Sequence, residues 1–137
     1  MSSPNWLQRN KDLGVLFLRL FIGVRLIYGV IDNVVSWEHM LKFRDFLQVF
    51  HFPVPLVSAV VSVYAQLIAG FLIVVGFKIR LASMVMIINF LVAIIMVHRN
   101  DPMEASTPAL MMIFSCLLFL FQGAGKFSID NIGSKKK

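Results

Sequence analysis

The stretch LGVLFLRLFIGVRLIYGVIDN, residues 13–33, decides the fold. It is almost continuous Leu, Val, Ile and Phe, interrupted by Arg19 and Arg25 and closed by Asp32 and Asn33. About 20 apolar residues in a helix are enough to cross the hydrocarbon core of a bilayer. The run is therefore read as a membrane-spanning helix. Its two arginines then become the question, because a guanidinium in hydrocarbon is expensive and usually has a function.

The rest of the chain agrees with that reading. Of the 137 residues, 58% are hydrophobic and 15% charged. Soluble domains have roughly 45–50% and 25%. A chain this short has too little interior to hide such a surplus. Three further apolar runs, about residues 55–77, 81–97 and 107–122, are expected to be spans. Pro55 and Pro108 suit first turns, and Gly123 lies just past the last run. The expected fold is all-α, a four-helix transmembrane bundle forming one domain over residues 1–132. The first span is expected to be retained rather than cleaved, since its arginines do not suit a signal peptide and no small-residue cleavage site follows.

The net charge of +6 does not indicate nucleic acid, because the basic residues sit at the ends of the apolar runs. Arg9, Lys11, Lys78, Arg80, Lys126, Lys135, Lys136 and Lys137 lie in the N-terminal segment, the second loop and the C-terminal segment. Only Lys42, Arg44 and Arg99 lie in the other two loops, among Glu38, Asp45, Asp101 and Glu104. The excess of positive charge predicts cytoplasmic N- and C-termini in a bacterial inner membrane. In the first outer loop, WEHMLKFRDFLQVF (residues 37–50) puts Trp37, Met40, Leu41, Phe43, Phe46, Leu47 and Phe50 at helical spacing and Glu38, Lys42, Asp45 and Gln48 on the other side. That is an amphipathic helix, lying on the membrane surface or folded back onto the bundle. HFPVP (residues 51–55) turns the chain back. The tail GSKKK, residues 133–137, reads as a disordered basic segment near anionic lipid.

Within the spans, polar groups recur near mid-depth. Arg25 is near the middle of the first span, and Tyr28 and Asp32 share its helical face. Gln66 and Asn89 occupy the middles of the second and third spans. These five residues are expected to line a polar pocket inside the bundle, with Arg25 holding a carbonyl or headgroup oxygen. The competing structural readings are an internal ion pair for Arg25 and interhelical hydrogen bonds for the amides. Arg19, nearer the cytoplasmic side, is expected to snorkel to headgroups. Arg80 and His98 sit at span ends and are grouped with it as headgroup-binding or structural residues. His39, His51 and His98 have no metal-site spacing, and lone Cys116 can form no internal disulfide. No phosphate-binding loop, dinucleotide fingerprint or hydrolase triad is present.

Taken in order, LRLFIGVRLIYGVIDNV, FLQVFHFPVP, YAQLIAGFLIVVGFKIRLASMVM, IIMVH and GAGKFSID resemble the DoxX family of small four-helix bacterial membrane proteins. The resemblance covers about residues 13–130. Arg19, Gly23, Gly29, Pro53, Gly70, Gly76, Arg80, His98, Gly123, Gly125 and Asp130 match the family pattern. Gln66 stands where the family usually has Glu, Asn33 where a basic residue is frequent, and Arg25 is not a family position. Some relatives resemble a subunit of a thiosulfate:quinone oxidoreductase, and others are associated with redox stress.

These features lead to the expectation of an accessory or scaffold subunit of a redox or stress-related membrane system. Its pocket would be of lipid or quinone size, with a redox protein or a second copy as partner. A quinone-linked oxidoreductase is the first alternative, with quinone as the one cofactor in view; no haem, flavin or dithiol pattern supplies its electrons. A small transporter or channel is the second, weakened by the lack of broken half-helices or repeat symmetry.

Overall fold

The computed structural model describes residues 5–135. Among these residues seven helices follow one another: α1 (Asn5–Arg9), α2 (Lys11–Val35), α3 (Trp37–Val49), α4 (Pro55–Val75), α5 (Ile79–Met96), α6 (Met103–Gln122) and α7 (Ile129–Lys135). Among the described residues there is no strand. Four of them, α2, α4, α5 and α6, are long and apolar enough to cross a membrane. They run up and down, so α1, the α4–α5 turn and α7 share one end, while α3 occupies the other.

Neighbours in the bundle are α2 with α4, α4 with α5, and α5 with α6; α2 and α6 barely meet. The centre is filled by Ile22 and Leu26 of α2, Ile73 of α4, Met86 of α5 and Phe119 of α6, all at most 4% exposed. The tightest crossing is between α2 and α4. A Cβ on Gly23 would stand 2.8 Å from the Gly70 carbonyl oxygen and collide with the Val74 side chain. A Cβ on Gly70 would stand 2.9 Å from the Gly23 carbonyl oxygen. The paired glycines let the backbones approach, where dispersion contacts replace a hydrophobic driving force that is absent between helices in lipid.

The amphipathic α3 folds back onto the bundle. Met40 and Leu47 are buried against Val30 of α2 and Ala59 and Val63 of α4, forming a second apolar cluster. Ser36 separates α3 from α2 and accepts at Oγ from the His39 amide at 3.4 Å. Asn33 braces the same corner by donating from Nδ2 to the His39 carbonyl at 3.1 Å.

Span boundaries differ from the sequence reading mainly at polar ends. The first span begins at Lys11, and the last begins at Met103, which places Pro108 inside α6. Thr107 donates its hydroxyl to the Met103 carbonyl at 2.9 Å in the same turn. The second span stops at Val75 because Gly76, at φ +72°, forms a left-handed cap. The amide of Phe77 then returns to the Leu72 carbonyl at 3.0 Å, closing a Schellman-type end. Helix α7 runs through Lys135, into the segment read as the basic tail. Lys136 and Lys137 lie outside the described residues.

Candidate functional site

The structure does not assemble the five pocket residues expected from sequence. Arg25, Tyr28 and Asp32 all lie on the exposed outer face of α2, with Tyr28 73% exposed. Helical phase explains this outcome. The α2 residues that face the bundle are Val15, Arg19, Ile22, Gly23, Leu26 and Val30, and the Arg25 face points away from them. The Arg25 guanidinium stands 6.0 Å from the centre of the Tyr28 ring and makes no ion pair among the described residues. The internal Arg25–Asp32 pair is thus not formed.

Arg19 corrects the opposite expectation. It does not reach toward headgroups; it is 1% exposed. Its Nε donates to the Ile73 carbonyl at 3.0 Å and its Nη2 to the Val74 carbonyl at 2.8 Å. Its Nη1 donates to the carbonyls of Ala124 and Phe127 at 3.1 and 2.8 Å. A helix C-terminus leaves carbonyls without partners and carries partial negative charge. Arg19 therefore closes the end of α4 from a neighbouring helix and pins the segment after α6 to the same point. Gly76 is required there, since a Cβ would stand 2.6 Å from Arg19 Nη2 and 2.5 Å from Ser128 Cβ.

Asp130 completes this knot from the far end of the chain. Its Oδ1 and Oδ2 accept from the amides of Lys78 and Ile79 at 2.8 and 3.1 Å, capping the start of α5. The Asp130 amide donates to the Gly76 carbonyl at 2.9 Å. Arg19, Gly76 and Asp130 are therefore architectural in this structure. Arg80 is exposed beside them and lines an open recess of about 830 Å³ with Lys78, Lys126 and Asp12.

Gln66 and Asn89 do meet, in a different place. They line a groove of about 620 Å³ between α3, α4 and α5, on the side away from α2 and α6. Phe43 and Phe46 of α3 roof it, and Val85 and Ile88 belong to its apolar lining. Phe46 stacks with Phe43 at 6.4 Å between ring centres and meets Phe50 in a tilted contact at 5.0 Å, which braces that roof. Ser62 donates from Oγ to Asn89 Oδ1 at 2.8 Å, and Gln66 Nε2 donates to Ser62 Oγ at 3.4 Å. The Asn89 Nδ2 and Gln66 Oε1 make no hydrogen bond among the described residues. A donor group and an acceptor are thus left over in the wall of an otherwise apolar groove. Ser62 was not among the expected site residues; its signal is its place one helical turn before Gln66, on the same face.

At the groove's end nearer α3, His98 Nδ1 and Asp101 Oδ2 are 3.0 Å apart. Among the described residues no group of three or more His, Cys, Asp or Glu could hold a metal ion. The arrangement can therefore seat an elongated apolar molecule, offer hydrogen bonds midway along it, and place a titratable pair near one end.

Four apolar spans closed at one end by an arginine–carbonyl knot define a small multi-pass membrane helix bundle. The DoxX family model matches residues 14–99, from the start of α2 to just beyond α5, and the chain belongs to that family. No curated protein and no solved structure matches it.

Proposed function

We propose that this DoxX-family membrane protein binds the apolar chain of a membrane amphiphile, of lipid or isoprenoid-quinone size, in the groove between α3, α4 and α5. The observation that carries the reading is the hydrogen-bonded Gln66–Ser62–Asn89 set, with its unused donor and acceptor, in the wall of that groove. Its volume lies in the range of roughly 300–1,000 Å³ usual for small-molecule sites. The protein would act as an accessory or scaffold subunit of a redox or stress-related system in the bacterial inner membrane, with both termini in the cytoplasm as the positive charge at that end suggests. A redox protein would be its partner in that system.

The quinone-linked oxidoreductase reading is favoured by one feature, the His98–Asp101 pair lining and adjoining the groove. A ring nitrogen beside a carboxylate can pass a proton to or from a quinone headgroup.

Native mass spectrometry from mild detergent tests the binding. Wild-type protein should carry a defined amphiphile, and Asn89→Leu or Gln66→Leu should lose it while remaining folded. Equal occupancy in all three proteins would remove the groove from consideration. Quinol oxidation by the purified protein in liposomes, with a soluble two-electron acceptor added to take up the electrons, would support the enzyme reading if it were lost in His98→Ala.

A further inference from the structure

The outer face of α2 has a regular pattern that the bundle does not use. Phe21, Arg25, Tyr28, Asp32 and Val35 follow one another at alternating spacings of four and three residues, and all five are exposed. This is the spacing of a helix–helix seam in a left-handed pair. The opposite face of α2, with Arg19, Ile22 and Leu26, is already occupied by the bundle. A second seam with a guanidinium near mid-span and a carboxylate further along has no partner among the described residues.

Lipid is a poor neighbour for that seam. Charged groups within spans are costly and normally face protein or water. The two charges are also complementary to a copy of themselves. Copies inserted in the same sense and related by a two-fold axis along the membrane normal present parallel α2 helices. Arg25 and Asp32 are separated by about 10 Å along the axis. The Arg25 side chain already covers much of that distance: its Nη1 lies 3.1 Å from where a Cβ on Gly29 would stand, one turn further along. Asp32 leans back toward the N-terminus, as side chains in helices do, which shortens the remainder. The absence of a side chain at Gly29 keeps the path clear.

We propose that this chain forms a parallel homodimer through the exposed seam of α2, with Arg25 of each copy paired to Asp32 of the other. Every pair is made twice across the axis, so both intramembrane charges are neutralised at once.

The test uses the full-length protein, tagged and labelled at one site outside the spans, in phosphatidylethanolamine–phosphatidylglycerol vesicles. Single-molecule photobleaching counts copies as the protein is diluted into lipid. Wild type should show two bleaching steps. Arg25→Ala should weaken the dimer by at least about tenfold, the scale expected when one member of a desolvated charge pair is removed. The exchanged protein, Arg25→Asp with Asp32→Arg, should recover most of that loss. Phe21→Cys, which leaves both charges in place, should form an oxidant-induced disulfide between copies; the wild type should not, because its only thiol, Cys116, is 1% exposed. A wild type that bleaches in one step at every dilution overturns the proposal. So does a dimer whose strength Arg25→Ala leaves unchanged, or one that Phe21→Cys fails to crosslink.

Discussion

Arg19 of α2 and Ile73 of α4 are joined by a 3.0 Å hydrogen bond from Nε to the backbone carbonyl, inside a membrane-spanning bundle. The same guanidinium serves three more carbonyls, two of them on the segment after α6. One side chain thus satisfies the end of one helix and anchors the C-terminal part of the chain. Its planar fork points donors in several fixed directions at once, which an ammonium group cannot reproduce.

Replacing Arg19 with Leu should cost about 3 kcal/mol or more, because the carbonyls it serves would be left buried and unpaired. Arg19→Lys should recover only part of that loss. Cys116 provides the readout, since it is the sole thiol and is buried. Maleimide labelling of Cys116 during heating should begin at a clearly lower temperature in Arg19→Leu, with Arg19→Lys between it and the wild type.

Asp130 acts as a helix cap supplied from another part of the chain, so Asp130→Ala should cost about 0.5–2 kcal/mol, the range for lost N-caps. Asp130→Asn keeps one acceptor oxygen and should cost less. Hydrogen exchange should show the effect as faster exchange at the amides of Lys78 and Ile79, with little change in α6.

The Gly23–Gly70 crossing has no room for a side chain. Gly70→Ala should destabilise the protein by about 1–3 kcal/mol through overpacking. Gly14, where a Cβ would point into open space, is the matching control. Gly14→Ala should leave thermal stability unchanged or slightly raised, as expected when a helical glycine gains a methyl group in open space.

Asn89→Leu removes the acceptor of the 2.8 Å bond from Ser62. Polar contacts between spans are worth about 0.6 kcal/mol on average and 1.7 at most in measured membrane cases. Thermal stability should therefore fall only slightly. Loss of a bound amphiphile without unfolding would separate a ligand role for Asn89 from a packing role, and unchanged occupancy would leave packing alone.

The composition and the spacing of apolar runs were enough to establish an all-α protein with four spans and an amphipathic helix after the first. Hydrocarbon permits few structures for an isolated spanning segment, so a run of apolar residues settles its conformation without knowledge of its neighbours. The small residues at the α2–α4 crossing and the turn at Gly76 were also visible as family-pattern glycines. Orientation within the bundle was not visible in the same way. Arg19 and Arg25 look equivalent in LGVLFLRLFIGVRLIYGVIDN, yet one is the most deeply buried charge and the other is exposed. In a soluble helix the apolar face identifies the interior; in α2 one arginine lies on each of two different faces among apolar residues, so the pattern alone does not say which face meets the bundle. Gln66 and Asn89 could be placed at a common depth from sequence, since depth follows from position along each span. Their meeting with Ser62, and their separation from Arg25, Tyr28 and Asp32, depend on the rotation of each helix about its axis. That rotation is set by which backbones can approach at Gly23 and Gly70 and by the carbonyls that Arg19 must satisfy. Both are contacts between residues far apart in the chain, and only the folded bundle brings them together.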